Sequence, residues 1–190
     1  MKYILVGTLL VYGAARLVET FAKRKKIRGQ IIAPYTLYLL VAAHIFVFIA
    51  AFYDATAREL ATEVTETTVL GILLVTIAAI GRCSAVRALG AYHSIQIEIR
   101  RNHPLITCGP YFFVRNPYYL SNAIEVAGFP LIVNSWSGTA LALLLYWPSL
   151  YLRIVLEERA LLVALKVPFT EYMRRVPRLV PISFRVGEGE

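Results

Sequence analysis

The chain has 190 residues, of which 58% are hydrophobic and only 17% are charged, and its net charge is +8. A soluble domain of this length normally has about 25% charged and about 45–50% apolar residues, so the composition excludes an ordinary soluble domain and indicates a membrane protein. The two cysteines, Cys83 and Cys108, have neither metal-ligand spacing nor a histidine partner at ligand distance. The sequence therefore predicts neither a disulfide framework nor a metal site.

The first apolar segment follows Lys2 and resembles a secretory signal at its start. Its apolar character resumes after Arg16 and continues to Phe21. We therefore expect an uncleaved first membrane helix at this position.

Five segments approach the length of about 20 mostly apolar residues that a membrane helix needs. In chain order they are Tyr3–Phe21, Tyr35–Tyr53, Val69 to about Tyr92, Tyr118–Val133 and Gly138–Leu156. The third is expected to leave the bilayer near Arg82 and Arg87, and the fourth is short and carries Glu125. The sequence predicts an all-α integral membrane protein of about five transmembrane helices. It forms a single membrane domain, with an N-terminal helical pair at 1–68 and a core at 69–190.

The basic residues predict the orientation of the chain. Most of the lysines and arginines lie in the first connection, after the third segment, and at or beyond the end of the fifth, whereas Asp54–Glu66 is acidic. By the positive-inside rule, the N-terminus is outside and the C-terminus is cytosolic, which for a bacterial protein means the inner membrane. The positive charge then reflects topology and contact with anionic membrane lipids, and we expect no nucleic-acid partner.

Three polar clusters fall on the predicted cytosolic side. They are Gly90–Pro117, Arg153–Arg159 and the segment from Phe169 to Pro181. If the fourth and fifth helices form a hairpin, the clusters meet at one face. This convergence predicts a binding site at the membrane surface.

The motifs in these clusters resemble one family in order and spacing. They read His103-Pro104-Leu105-Ile106-Thr107, Gly109-Pro110-Tyr111, Arg115-Asn116-Pro117-Tyr118-Tyr119, Glu157-Glu158, and Tyr172 before Val176-Pro177. This pattern is similar to that of the isoprenylcysteine carboxyl methyltransferase family, and it extends from about Gly81 to Pro181.

The resemblance implies an S-adenosylmethionine-dependent methyltransferase with a cytosolic cofactor site in its C-terminal half. Its acceptor would be a carboxylate or hydroxyl oxygen on a lipophilic, membrane-borne molecule. Arg153 corresponds to an arginine associated with the acceptor and is the candidate catalytic residue. The positions that match cofactor-binding residues are Gln96, His103, Pro104, Leu105, Ile106, Tyr111, Asn116, Pro117, Tyr118, Tyr119 and Glu157.

The chemistry of these side chains suits the implied roles. Tyr111 and Tyr119 offer aromatic faces to a sulfonium cation. Glu157 is able to accept hydrogen bonds from a ribose or to balance an ammonium group. Arg153 is able to hold an anionic acceptor through two parallel hydrogen bonds.

Asn116 is a departure from the family pattern, which has histidine between the arginine and the proline. Asparagine is neither a general base nor a cation, but methylation of an ionised carboxylate needs no base. Two alternatives therefore stay open: a phospholipid-amine N-methyltransferase, and a non-catalytic membrane protein that retains the fold.

Several of these residues also have purely structural interpretations. Arg153 could extend to the lipid headgroups, and Glu157-Glu158 could form a solvated face paired with Arg153 or Arg159. For Glu125 we favour an ion pair with Arg82 or Arg87. For His44 we favour a hydrogen bond between helices.

Overall fold

The computed structural model describes residues 7, 10–14, 16, 27–57, 64–101 and 103–180. Its helices are α1 (Tyr35–Ala57), α2 (Glu66–Leu89), α3 (Pro117–Ile132), α4 (Trp136–Leu165) and α5 (Val167–Arg175). Residues 10–14 are also helical. Within α4, Ala142–Tyr146 forms a π-helical segment. The protein is mostly helical, as predicted.

A small sheet departs from the all-α prediction. Strand β1 (Gln30–Ile32) pairs with β2 (Ile97–Ile99) in antiparallel orientation, with Gln30 opposite Ile99. The sheet joins the segment before α1 to the polar connection between α2 and α3. It fixes one wall of the site described below.

Among the described residues, three helical segments have the length and composition needed to cross a membrane. They are Tyr35–Ala57, Glu66–Tyr92 and Trp136–Leu165. Large apolar side chains on them are exposed, including Phe46 on α1, Ile72 on α2 and Leu144 on α4. In water such surfaces would be unfavourable, so they are the faces that contact lipid. The protein is a membrane protein.

The remaining two predicted spans are different cases. The fourth corresponds to α3, which has only 16 residues, most of them buried against the neighbouring helices. The first lies largely outside the described residues. The count of five crossings therefore stays a prediction.

Helices α2 and α3 pack closely because glycines face each other at their contact. A Cβ atom on Gly71 would lie 2.7 Å from the carbonyl oxygen of Gly128 and 2.7 Å from the amide nitrogen of Ile132. Small residues of this kind let helix backbones approach in membranes, where packing replaces the hydrophobic effect as the driving force.

A polar cluster lies between α3, α2 and the N-terminal helical residues. Arg82 on α2 donates a hydrogen bond to Glu125, which also accepts from Arg16 and Tyr12. The predicted pairing of Glu125 with Arg82 is confirmed. It compensates the cost of burying a carboxylate within the helices.

The two ends of the helical bundle carry different connections. At one end, Ser135 and Ser137 donate hydrogen bonds to Asp54, at 2.8 and 2.7 Å. The opposite end holds the small sheet, the connection from α2 to α3, and α5 with the segment after it. The predicted polar clusters lie at this second end.

Candidate functional site

A polar cleft of about 110 Å³ lies at the second end of the bundle, between the α2–α3 connection, the end of α4, and α5. It brings together ten of the eleven predicted cofactor residues: Gln96, His103, Pro104, Leu105, Ile106, Tyr111, Asn116, Tyr118, Tyr119 and Glu157. The eleventh, Pro117, is buried at the start of α3 and is not among the residues that line the cleft. Residues up to 61 positions apart in sequence thus share one cavity.

Local sequence explains how the connection folds around the cleft. Gly90 ends α2 with a φ of 54°, and Gly109 has a φ of 60°, a region that glycine enters without a steric penalty. Pro117 occupies the first turn of α3, where its missing N–H leaves no helical hydrogen bond unmade. The chain therefore turns at both glycines and starts α3 with Tyr118 and Tyr119 beside the cleft.

Tyr119 links the two residues given the most specific roles by the sequence. Its hydroxyl donates a hydrogen bond to the Glu157 carboxylate and accepts one from Nε of Arg153 at 2.9 Å. The Arg153 guanidinium also lies 5.9 Å from the centre of the Tyr119 ring. A carboxylate, a phenol and a guanidinium thus form one chain of contacts.

Arg153 is held inside the protein and does not extend to the headgroups. Only 2% of it is exposed. Its Nη1 donates to Thr36 Oγ1 at 2.9 Å and its Nη2 donates to the Ile95 carbonyl. The lipid-headgroup interpretation is therefore wrong.

Arg153 does not line the polar cleft but a second, mostly apolar cavity of about 290 Å³. This apolar cavity lies between α1, α3 and α4, and Leu37, Leu40 and Val41 contribute to its wall. Tyr118 and Tyr119 line both cavities. The phenol of Tyr119 therefore stands at the boundary between a polar and an apolar compartment.

The second glutamate of the pair has a different task from the first. Glu158 accepts hydrogen bonds from Arg115 Nε at 3.0 Å, Asn116 Nδ2 at 2.8 Å and Arg178 Nε at 2.9 Å. It is 3% exposed, so a solvated Glu157-Glu158 face is also wrong. Glu158 fastens the segment after α5 to the start of α3.

Asn116 belongs to this fastening as well as to the cleft wall. Its backbone N–H and its side-chain Nδ2 both donate to the carbonyl of Arg178, each at 3.2 Å. The amide thus has a structural use that needs neither charge nor basicity. The asparagine in this motif is compatible with an intact site.

Sequence reasoning missed several residues of the cleft. Tyr92, His93 and Phe169 line it, although no motif named them as ligands. Tyr172, noted only as part of the family pattern, also lines it and donates a hydrogen bond to the Tyr111 carbonyl. The available signal was the concentration of aromatic residues at 90–119 and 169–172.

Burial shifts the pKa values of three rings that line the cleft, those of His103, Tyr111 and Tyr172, toward their neutral forms. Burial, together with the neighbouring Arg100, lowers the pKa of His103 below its ordinary value, and its Nδ1 accepts the Arg100 backbone N–H at 3.4 Å. Burial raises the pKa of Tyr172 to about 12, and burial also raises the pKa of Tyr111. A neutral Tyr111 ring near the Glu157 carboxylate suits a cationic ligand.

The donor set of the cleft fits S-adenosylmethionine, the cofactor that the sequence motifs imply. Gln96 Oε1 is buried in the wall and has no hydrogen-bond partner among the described residues, so it is available to an amino or hydroxyl group. Tyr111 and Tyr118 provide aromatic faces for a sulfonium. Glu157, which faces the cleft, provides a carboxylate for the ribose or the ammonium group.

The fold and the two cavities define a helical membrane protein with a polar and an apolar binding compartment side by side. Residues 69–163 match the family model of the isoprenylcysteine carboxyl methyltransferase (ICMT) family. Since this match covers half of the chain, the chain belongs to that family.

Similar proteins include one isoprenylcysteine O-methyltransferase and two metal-resistance proteins. Protein-S-isoprenylcysteine O-methyltransferase of Schizosaccharomyces pombe is 30% identical over 103 residues, 53% of this chain and 44% of that protein. Cobalt-zinc-cadmium resistance protein CzcN of Cupriavidus metallidurans is 31% identical over 121 residues, 63% of this chain and 52% of that protein. Nickel-cobalt-cadmium resistance protein NccN of Alcaligenes xylosoxydans is 30% identical over 112 residues, 59% of this chain and 48% of that protein. The chain spans about half the length of these relatives.

Proposed function

We propose that the protein transfers a methyl group from S-adenosylmethionine to an oxygen of a lipophilic acceptor that enters from the membrane. The observation that carries this proposal is the shared wall of Tyr118 and Tyr119 between the polar cleft and the apolar cavity. If the polar methyl donor binds in the cleft and the apolar acceptor binds in the adjoining cavity, the two molecules lie close together. Each of them still has surroundings of matching polarity. Such positioning converts an encounter of two molecules into a reaction within one complex.

Each compartment has residues suited to one partner. In the cleft, Glu157, Gln96 and the tyrosine rings would hold the cofactor, which would supply a methyl group on a positively charged sulfur. In the apolar cavity, the hydrocarbon part of the acceptor packs on Leu37, Leu40 and Val41. Arg153, at the end nearest Tyr119, orients the anionic head of the acceptor.

The transfer itself is a single displacement. A lone pair of the acceptor oxygen forms a bond to the methyl carbon while the carbon–sulfur bond breaks, and its electrons remain on the sulfur. An ionised carboxylate loses no proton in this step, so Asn116 in place of histidine is no obstacle. The Tyr119 hydroxyl, which bonds to both Glu157 and Arg153, keeps these two charged side chains in fixed positions relative to each other.

Binding of S-adenosylhomocysteine tests the cofactor part of the proposal. We expect this product to raise the Tm of the detergent-solubilised protein, because a ligand that binds only the folded state stabilises it. Glu157→Gln removes the charge with little change in shape. The variant should bind roughly tenfold more weakly, since one charge-assisted hydrogen bond is lost.

Glu171→Gln is the matched control, because Glu171 lies exposed on α5 and does not line the cleft. It should bind S-adenosylhomocysteine as the wild type does. Equal affinity of the Glu157→Gln variant and the wild type would remove Glu157 from the cofactor site. No stabilisation of the wild type at millimolar S-adenosylhomocysteine would favour the non-catalytic alternative.

A further inference from the structure

The apolar cavity contains a polar group far from its Arg153 end. His44 lines it from α1, and its ring stacks on Phe48 with the ring centres 4.9 Å apart and meets Tyr146 edge-on at 5.4 Å. Among the described residues the structure shows no hydrogen bond to His44, so the expected hydrogen bond between helices stays a prediction. In its uncharged form an imidazole offers one hydrogen-bond donor and one acceptor.

A second polar side chain lies along the same wall. Asn122 on α3 lines the apolar cavity, and its Oδ1 accepts from Arg16 at 3.3 Å. Its Nδ2 has no partner in the part of the chain that the structure describes. A plain hydrocarbon would leave these donors and acceptors unpaired, which costs free energy in an apolar surrounding.

The distance along the bundle between His44 and the Arg153 guanidinium follows from the residue spacing on two helices, α1 and α4. Thr36, which contacts Arg153, and His44 are eight residues apart on α1, about 12 Å at the rise of an α-helix. On α4, Tyr146 and Arg153 are seven residues apart, about 10 Å by the same rise. The ring of His44 therefore lies about 11 Å deeper than the Arg153 guanidinium, measured along the bundle.

The backbone of α4, which forms part of the cavity wall, is irregular at the level of His44. The π-helical segment Ala142–Tyr146 ends at the tyrosine that contacts His44. Such segments are rare and occur often at functional sites. The irregularity and the polar ring coincide at one level of the cavity.

We propose that the acceptor carries a second polar group, a hydroxyl or a carbonyl, that hydrogen-bonds to His44. This inference rests on the proposed function and narrows its substrate class. Between the methylated group and the second group lies an apolar spacer of roughly nine bonds, because an extended chain advances about 1.2 Å per bond. Acceptors with an unbroken hydrocarbon tail are then poor ligands. Asn122 adds a donor on the path between the two groups.

Three fatty acids serve as probes: 10-hydroxyoctadecanoate, its 3-hydroxy isomer and unsubstituted octadecanoate. All three present a carboxylate to Arg153, and only the first places a hydroxyl at the level of His44. The two hydroxy acids have the same number of polar groups, so partitioning into lipid does not separate them. Dissociation constants are measured on the whole protein in nanodiscs of fixed lipid composition.

We expect the 10-hydroxy acid to bind at least tenfold more tightly than both other probes. His44→Leu should abolish this preference, and Asn122→Leu should weaken it. Tyr38→Leu, on the lipid-exposed side of α1, is the control and should retain the preference. Each variant is checked for the Tm shift by S-adenosylhomocysteine, so that a folding defect is recognised.

Equal affinity of the two hydroxy acids for the wild type would overturn the inference without any variant. So would an undiminished preference in a folded His44→Leu protein. A positional preference without stabilisation by S-adenosylhomocysteine would support the polar subsite and count against the methyl transfer. Stabilisation by S-adenosylhomocysteine without a positional preference would support the methyl transfer and count against the polar subsite.

Discussion

Arg153 lies near the boundary between the two cavities, and its hydrogen bonds connect three parts of the fold. Its three guanidinium nitrogens donate to Tyr119, Thr36 and the Ile95 carbonyl. These partners come from α3, α1 and the α2–α3 connection. The orientation of one side chain therefore depends on three parts of the fold, and the planar fork of arginine is needed to contact them together.

Arg153→Lys tests this interpretation. Lysine keeps the charge but offers a single ammonium group in place of the fork. We expect methyl transfer to fall by roughly 10- to 100-fold, the loss of part of a charge-assisted interaction in the transition state. Affinity for S-adenosylhomocysteine, measured by calorimetry, should change little because Arg153 does not line the cleft.

Arg159→Lys makes the same replacement at an exposed position six residues further along α4 and should leave both quantities unchanged. Full activity of the Arg153→Lys variant would refute an orienting role. Equal losses in cofactor affinity and in turnover would instead place Arg153 among the cofactor residues.

Of the two adjacent glutamates, Glu157 had a location that was predictable from the sequence, whereas the role of Glu158 was not. The family motif was enough to place Glu157 at the cleft. The task of Glu158 was not predictable, because it depends on Arg115 and Arg178, which lie 43 positions before it and 20 positions after it. A short motif predicts that a carboxylate is used, whereas its partners are set by the packing of distant segments.

At the scale of elements, the α2–α3 contact depends on the absence of side chains. We expect Gly71→Ala to destabilise the protein by about 1–3 kcal/mol, the usual cost of inserting a methyl group into a packed contact. The gain in helix propensity offsets roughly 1 kcal/mol of a larger steric cost. The effect is measured as a fall in Tm in detergent.

Gly7→Ala provides the comparison, because a Cβ there has no neighbour within 4 Å among the described residues. A Tm for Gly71→Ala at or above that of Gly7→Ala would mean that the helices separate without cost. The close approach of α2 and α3 would then contribute nothing to stability.

Helices were predictable from the sequence, and the sheet was not. Apolar runs predicted both ends of α1 and α2 and the start of α4 to within four residues, because the bilayer sets the length of such runs. The end of α4 lies nine residues beyond the predicted Leu156, because the helix continues through the polar residues 157–159 that end the apolar run. The strands Gln30–Ile32 and Ile97–Ile99 have three residues each, too few to show an alternating pattern. The strands form because two segments that are distant in sequence meet beside the cleft. The local sequence of each segment does not predict this pairing.

At the scale of the whole molecule, the two ends of the helical bundle differ both in their charge and in the connections they hold. Arg100, Arg115, Arg174 and Arg178 lie at the end that holds the cleft, and Asp54 lies at the other. The positive-inside rule predicts that the cleft end is cytosolic, the side on which a water-soluble cofactor would be available.

Cysteine labelling in intact cells tests this orientation. In a Cys83→Ser, Cys108→Ser background, Val64→Cys and Glu171→Cys place single exposed thiols at the two ends. A membrane-impermeant maleimide should label position 64 directly and position 171 only after permeabilisation. Labelling of both positions from the same side would contradict the proposed topology.

The central claim is that a methyl group passes from the polar cleft into the apolar cavity. The most direct measurement incubates the purified protein with S-adenosylmethionine labelled in its methyl group and with a lipid extract of its host membranes. Organic-phase label is then counted for the wild type and for Glu157→Gln and Arg153→Lys. We predict label in an extractable lipid that is released by mild base, as from a methyl ester, and that is strongly reduced in both variants. Label absent from the lipid phase, or equal in all three proteins, would contradict the account.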